Sequence, residues 1–208
     1  MVLMLDSKCA QCRGAGVKLM LKGEKCFGPK CTMVKRNYPP GAHGPSKKHS
    51  KRSVYGKQLF EKQKAKRLYG LRERQFANYV AEAAKKTGNT GKFLISYLES
   101  RLDNVAFRMG LGKSRAAARQ IVSHSHLSVN GRPVNIPSYR VKVGDMVALK
   151  ESKKKSLLYD KMEEKLAKLE APGWLGLEPS QLRAKILNAP TIAEPGFDAK
   201  TIIEFYSR

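Results

Sequence analysis

The chain has 208 residues, of which 41 are Lys or Arg and 17 are Asp or Glu, so its formal net charge is +24. This positive excess is unsuited to an isolated compact protein and favours a polyanionic partner, namely RNA, DNA or an anionic membrane surface. No apolar run approaches the roughly 20 residues that span a bilayer, and the early acid Asp6 argues against a secretory signal.

Four cysteines near the N-terminus form two pairs, Cys9 with Cys12 and Cys26 with Cys31. Two and four residues separate the members of the pairs, so each pair can close a short knuckle around one ion. Four thiolates suit tetrahedral Zn²⁺, and the loop between the pairs has too little apolar content to fold without a metal. We predict one structural zinc ion in a cysteine module of residues 1–44. An iron–sulfur cluster with the same ligands is the alternative, and free or disulfide-linked cysteines are disfavoured by their clustering.

The next segment is strongly basic, and the first 75 residues together have 19 Lys or Arg and 4 acids. The run Tyr38-Pro39-Pro40-Gly41 excludes a helix and predicts an extended basic loop. Tyr and His are interleaved with the cations, which favours RNA contact over a solvated charge run. Helical patterns over 55–69 and 72–86 then predict a basic helical subdomain of residues 45–90, completed by a short helix within 196–208.

The following segment, which we predict to form a domain of residues 91–195, begins with two helices. Apolar residues at helical spacing from Leu94 to Met109 predict one helix of about five turns. Ser114 is placed to cap a second helix, Arg115–His124.

A small antiparallel sheet is predicted after these helices. Asn130-Gly131 between two short apolar runs is a strong hairpin signal, and Met146–Leu149 predicts a further strand. A helix over 156–169 and two strands, at 174–177 and 184–187, follow. The fold class is therefore α+β.

Several motifs of this domain resemble the S4 RNA-binding domain. That domain also occurs in tRNA synthetases, pseudouridine synthases and heat-shock proteins, so it implies RNA binding without fixing one role. The chain has no room for the catalytic domains of the enzymes among them. The motifs that carry the resemblance are Leu98–Val105, Ser114-Arg115, Ala118–Val122, Val129-Asn130-Gly131, Ile136-Pro137-Ser138 and Gly144-Asp145.

The order of motifs over the whole chain resembles the family of bacterial small-subunit ribosomal protein four, in its zinc-binding four-cysteine variant. The cysteine module, Tyr38–Gly41, the basic helices, the S4 domain and the terminal Ile203–Arg208 occur in the family's order. The resemblance implies a structural constituent of the cytoplasmic ribosome that binds 16S rRNA early and nucleates the 5′ domain. It also implies contact with small-subunit protein five and other 30S proteins, an influence on translational accuracy, and a position beside the channel by which mRNA enters. Some family members repress their own mRNA.

No enzyme motif is complete, so we expect no catalysis. Gly112-Lys113-Ser114 resembles part of a phosphate-binding loop, but Phe107 stands where that motif needs glycine. His124 and His126 have no nucleophile with an orienting carboxylate beside them. A free-standing RNA regulator and a membrane-surface protein stay open as alternative functions.

The candidate sites are therefore a metal site and an RNA-binding surface. The metal ligands are Cys9, Cys12, Cys26 and Cys31. The predicted RNA contacts are Lys47, Lys48, Lys51, Arg52, Arg67, Arg72, Arg74, Arg101, Lys113, Arg115, Arg119, Asn130 and Arg132.

Overall fold

A computed structural model describes residues 7–46, 51–160, 162–192 and 195–207. The chain divides into two compact units, Met1–Asn78 with Gly196–Arg208, and Tyr79–Pro195. The first unit combines the cysteine module with basic helices and the C-terminal helix, and the second contains the sheet. The predicted domain limits at residues 44 and 90 stay a prediction.

Helices account for most of the regular structure. In chain order they are α1 (Lys8–Ala15), α2 (Glu24–Phe27), α3 (Thr32–Lys35), α4 (Val54–Tyr69), α5 (Glu73–Ala84), α6 (Thr90–Glu99), α7 (Leu102–Arg108), α8 (Arg115–Ser123), α9 (Glu151–Lys154), α10 (Met162–Ala167) and α11 (Ala199–Tyr206).

In the first unit, α4 packs along α11. Ser53 caps α4, because its Oγ accepts the Gly56 N–H at 3.1 Å. The helix ends at Gly70, whose φ of 63° is left-handed and suits glycine. The rings of Tyr55 and Phe205 lie 5.6 Å apart across the two helices. These contacts confirm the predicted helix over 55–69 and the short C-terminal helix.

The second unit begins with a correction to the predicted five-turn helix. The chain leaves the helical conformation at Arg101, whose backbone is extended at φ −67° and ψ 136°. Two helices, α6 and α7, therefore replace one. Leu98, Leu102 and Val105 keep helical spacing across the break and are all buried, so the apolar pattern does not reveal it. Ser114 caps α8 as predicted, accepting the Ala117 N–H at 3.3 Å.

The sheet of the second unit has five antiparallel strands in the order β2-β1-β3-β5-β4. The predicted hairpin is confirmed: Asn130 and Gly131 both have positive φ, 50° and 79°, as a tight hairpin turn requires. The strands are β1 (Leu127–Val129), β2 (Arg132–Pro133), β3 (Met146–Leu149), β4 (Leu175–Glu178) and β5 (Arg183–Ile186).

One hydrophobic core lies between this sheet and the helices α7 and α8. Alternate strand residues such as Val129, Val147 and Ala184 point into it, and helix residues such as Val105 and Ile121 meet them. This core holds α7 and α8 against the sheet, so the polar residues at the helix ends are fixed in position.

The predicted helix over 156–169 is wrong in its extent. The short helix α9 ends before this segment, which contains a single 3-10 turn at Leu157–Tyr159 and the helix α10. Leu157 is 93% exposed rather than inward-facing, whereas Tyr159 and Leu166 join the core. Among the described residues, no helix is both long and apolar enough to cross a bilayer.

Candidate nucleic-acid interface

All four cysteines of the cysteine module line one small cavity. Its volume is about 20 Å³, room for a single water-sized sphere. Cys12, Cys26 and Cys31 are buried, and the Lys22 N–H donates to the Cys26 Sγ at 3.4 Å. The N-cap residue of α3 is Cys31, and α1 contains the first pair, so short helices present the thiols to the cavity.

The electrostatics of these thiols agrees with their proximity. Burial, and to a smaller extent repulsion from Cys26, Cys9 and Cys31, raise the pKa of the Cys12 thiol. A hydrogen bond from the Leu19 backbone lowers this pKa, but the net shift is upward. Within the described ranges, no three His, Cys, Asp or Glu side chains are already arranged as a metal-binding group. The donor set and the cavity fit one tetrahedral ion, and the predicted metal stays a prediction.

The basic loop is tied to the cysteine module by Arg13. Its Nε and Nη2 donate to the carbonyl oxygens of Tyr38 and Pro39 at 2.8 and 3.0 Å. The Arg13 guanidinium also lies 4.7 Å from the centre of the Tyr38 ring. The loop is non-helical as predicted up to residue 46. The predicted contacts Lys47 and Lys48 lie outside the described residues.

The remaining predicted contacts of the first unit lie on its surface. Lys51, Arg52, Arg72 and Arg74 are exposed, and Arg67 is half-buried on α4. The Arg52 guanidinium stacks 3.9 Å from the centre of the Phe60 ring, and this contact limits its conformational freedom.

Lys62 of α4 has a different environment from these surface cations. It is buried, and its Nζ donates to Glu73 at 2.7 Å. The Tyr206 hydroxyl donates to the same carboxylate at 2.8 Å. This cluster joins α4, α5 and α11. The role of Lys62 is therefore to stabilise the first unit rather than to bind a ligand.

Arg101 requires a correction, because its side chain is wholly buried. Its Nε and Nη2 donate to the two carboxylate oxygens of Asp103 at 3.0 and 2.7 Å, and its Nη1 donates to the Tyr79 hydroxyl at 2.7 Å. Burial lowers the pKa of Arg101, but Asp103 and Tyr79 outweigh it and the net shift is upward. The guanidinium therefore holds the fold together, and a phosphate contact no longer fits.

A second buried acid orients surface arginines of the S4-like region. Glu99 is fully buried, and its carboxylate accepts from Asn104 Nδ2 at 2.8 Å and Arg108 Nε at 3.0 Å. The Oδ1 of Asn104 in turn accepts from Arg115 Nε at 2.9 Å. The guanidinium of Arg115 lies 4.6 Å from the Phe107 ring centre. A connected network thus fixes two cations on one side of α7 and α8.

The rest of this cationic face comes from α8 and the chain just before it. Arg119 stands four residues after Arg115, its side chain is 42% exposed, and its Nη1 lies 3.6 Å from Asp103. Lys113 is exposed immediately before the cap of α8. We call Arg108, Lys113, Arg115 and Arg119 the α8 cationic face.

The hairpin contributes two predicted contacts in different ways. Arg132 is exposed on the edge strand β2. Asn130 is exposed, but its amide is engaged: Nδ2 donates to Asp145 at 2.8 Å, and Oδ1 accepts the Met146 N–H at 2.8 Å. Asn130 therefore ties the hairpin to β3, and an RNA contact from it stays a prediction.

The sequence interpretation missed the two buried acids and the buried amide that hold these cations. Glu99, Asp103 and Asn104 interrupt the apolar spacing of Leu98, Leu102 and Val105. Polar residues among helical core positions are a usable signal, because a buried carboxylate needs a cationic partner.

Comparison with known proteins identifies the family. Residues 4–99 match the "Ribosomal protein S4/S9 N-terminal domain" and residues 100–147 match the "S4 domain". The chain is 50% identical over 202 residues to small ribosomal subunit protein uS4A of Symbiobacterium thermophilum, covering 96% of each chain. It is 48% identical to uS4 of Pelotomaculum thermopropionicum, covering 97% of each chain, and 47% identical to uS4 of Thermus thermophilus, covering 96% of each chain.

The chain belongs to the S4 family of small ribosomal subunit proteins. Membership confirms the predicted family and the presence of an S4 domain. It also confirms the prediction of a structural ribosomal protein rather than an enzyme, and with it the predicted location on the ribosome. In this S4-family chain, the α8 cationic face lies within the matched S4 domain.

Proposed function

We propose that this S4-family chain is a structural constituent of the small ribosomal subunit that binds 16S rRNA by its shape. The observation that carries the proposal is the α8 cationic face. Its arginines are held by three buried residues, Glu99, Asn104 and Asp103. Arginines that are already oriented lose little side-chain entropy when they meet phosphates.

The geometry suits the RNA backbone better than base edges. A guanidinium donates two parallel hydrogen bonds to a phosphate, so Arg115 and Arg119, four residues apart on α8, can contact successive phosphates. The major groove of A-form RNA is too deep and narrow for side chains to read, so proteins recognise its helices mainly by shape and by contacts to phosphates and 2′-hydroxyls. Fixed cations at fixed spacing select an RNA fold in this way.

The first unit has exposed cations of its own. Arg52, Arg72 and Arg74 are exposed. They are part of the positive charge that the acids of the chain do not balance, since the formal net charge of the chain is +24. Such an excess is neutralised on binding a polyanion, with release of counterions. Each unit alone offers several cations, which suits an RNA junction of several helices.

We further propose that Cys9, Cys12, Cys26 and Cys31 hold one structural zinc ion. The shared cavity, the burial of three thiols and the Lys22 N–H donated to Cys26 support this. When bound, the ion supplies folding free energy to a segment with a small core. The chain's own part is to bring the thiols together on short helices and to shield them from water.

The finer roles rest on family membership. We propose that binding to 16S rRNA occurs early and nucleates the 5′ domain, with small-subunit protein five and other 30S proteins as later neighbours. An influence on translational accuracy and a position beside the incoming mRNA are part of the same proposal. We also propose repression of its own mRNA as a secondary activity. It would use the same RNA-binding surface.

Sedimentation separates this function from that of a free-standing RNA regulator. The chain, carrying a small C-terminal tag, is expressed in bacteria, and lysates are run on sucrose gradients at high and low Mg²⁺. We expect it with 30S particles under both conditions. A chain that stays in the soluble fractions while 30S particles are intact would contradict the proposal.

A further inference from the structure

Phe27, in the cysteine module, is a large apolar side chain with no place in a core. It is 78% exposed at the end of α2. The small core of the module consists of Cys12, Ala15 and Leu19, and Leu21, Met33 and Phe60 are the larger side chains that pack against it. Among the described residues, Phe27 does not belong to that cluster.

The backbone around Phe27 is held on both sides. The Cys26 N–H donates to the Gly23 carbonyl at 2.8 Å, and the Cys31 N–H donates to the Gly28 carbonyl at 3.1 Å. The side chains of Cys26 and Cys31 are buried. The exposed ring is therefore presented from an anchored turn, and little backbone entropy is lost when a ligand covers it.

The charges around the ring indicate the chemistry of that ligand. Lys22, Lys25 and Lys30 are all exposed within five residues of Phe27, and Glu24 is the one acid in this stretch. An apolar surface of a partner protein offers no negative charge to these lysines. A polyanion with flat apolar groups matches both the exposed ring and the lysines around it. Unpaired nucleotides have this combination of phosphate charge and an aromatic face.

We propose that Phe27 is a stacking platform for an unpaired RNA base, with Lys22, Lys25 and Lys30 contacting the adjoining phosphates. The inference rests on the proposed rRNA-binding function and adds to it a contact with single-stranded RNA. By contrast, the exposed ring of Tyr55 lies 5.6 Å from the Phe205 ring and is already partnered. Phe27 thus differs in being 78% exposed and in having exposed lysines near it in the chain.

The test compares four variants of the full chain for binding to a 16S rRNA 5′-domain transcript over a range of salt concentrations. Phe27→Ala should weaken binding by about 5- to 150-fold, the range that corresponds to loss of one stacked base. Because stacking neutralises no phosphate, the slope of log affinity against log salt should not change. Phe27→Trp should keep the affinity of the natural chain.

One further variant serves as a matched control, and another tests a proposed phosphate contact. Val34→Ala removes another exposed apolar side chain of the module and should leave affinity unchanged. Lys30→Ala should reduce the salt slope by about 0.7 to 0.9. Equal metal content in all variants verifies that the module is folded.

Chemical probing of the transcript adds a readout at base level. One unpaired base should be protected by the natural chain and become reactive with Phe27→Ala, while other protections persist. If the natural chain binds and Phe27→Ala binds equally well, the stacking inference is overturned alone. If the natural chain does not bind the transcript, both the inference and the proposed function are overturned.

Discussion

Arg101 and Asp103 form a doubly hydrogen-bonded ion pair in the interior of the second unit, with contacts of 3.0 and 2.7 Å. The pair lies at the break between α6 and α7. In an uninterrupted helix, the Arg101 side chain would have a different position. The buried Asp103 also lies 3.6 Å from Nη1 of Arg119, whose side chain is partly exposed. The pair therefore connects the interior of the second unit to the α8 cationic face.

Removal of the buried guanidinium should destabilise the second unit severely. Arg101→Ala leaves the Asp103 carboxylate and the Tyr79 hydroxyl without their buried partner, which costs about 3–5 kcal/mol. Calorimetric melting of the variant measures this loss. Arg132→Ala removes an exposed arginine of the same unit and should change stability by less than about 0.5 kcal/mol. Equal melting temperatures for the two variants would refute the structural role of Arg101.

Glu73 should make stability depend on acid pH. Burial opposes its ionisation, but hydrogen bonds from Lys62, Tyr206 and Lys66 together lower its pKa from 4.5 to about 2. Because the folded pKa lies below the unfolded one, the carboxylate stabilises the fold fully above the unfolded value. That contribution is lost as pH falls from about 4.5 through about 2.

Glu73→Gln isolates this contribution from other acid effects. At neutral pH the variant should be less stable by about 1–2 kcal/mol, a figure reduced for the partial exposure of Glu73. The difference from the natural chain should shrink as pH falls toward 2, and comparing the two chains removes effects common to both. Glu163→Gln, on the exposed side of α10, is the control and should change stability at neutral pH by less than about 0.5 kcal/mol. A difference independent of pH would count against the assigned ion pairs.

Gly112 should tolerate no side chain. A Cβ built there would lie 2.5 Å from the backbone N of Ala118, in α8, and 2.9 Å from its Cβ. Gly112→Ala must push the loop and α8 apart, at a cost of about 1–3 kcal/mol. Gly173→Ala is the control, since nothing lies within 4 Å of a Cβ at that glycine. Denaturant unfolding followed by Trp174 fluorescence compares them, and equal midpoints would argue against the close approach.

Zinc should be present at one ion per chain. Elemental analysis of the purified chain is expected to give this ratio, and a chelator should increase hydrogen exchange in the cysteine module, at the Lys22 amide among others, with the sheet unaffected. His43→Ala should keep the full ratio, because four thiolates complete the site, whereas Cys12→Ser should lower it. Stoichiometric iron with visible absorption would establish the iron–sulfur alternative instead.

Local signals in the sequence predict much of this fold. Ser114 caps α8 as predicted, and Asn89 caps α6 in the same way, accepting the Lys92 N–H at 3.1 Å. Asn130-Gly131 forms the hairpin, since only a few residues accept positive φ at both turn positions. These features depend on neighbours in the chain, so they can be inferred without tertiary structure.

Features decided by tertiary contacts could not be inferred in the same way. The break at Arg101 is invisible to apolar periodicity, and its guanidinium looks like a surface charge until Asp103 and Tyr79 are seen around it. Leu157 fits a helical stripe in sequence but lies in a 3-10 turn, exposed to solvent. Within the α8 cationic face, Lys113, Arg115 and Arg119 were predicted as contacts, but the buried Glu99, Asp103 and Asn104 that hold the arginines were not recognised.

The central claim is that the α8 cationic face grips 16S rRNA through phosphates. The most direct test is the salt dependence of 5′-domain RNA binding for the double variant Arg115→Ala/Arg119→Ala, with Lys165→Ala/Lys168→Ala of the exposed α10 region as a charge-matched control. We expect the first variant to bind more weakly and to lower the slope of log affinity against log salt by about 1.4 to 1.8, at roughly 0.7 to 0.9 per phosphate. The control should retain the slope of the natural chain. Equal slopes for the natural chain and the Arg115/Arg119 variant would contradict the claim.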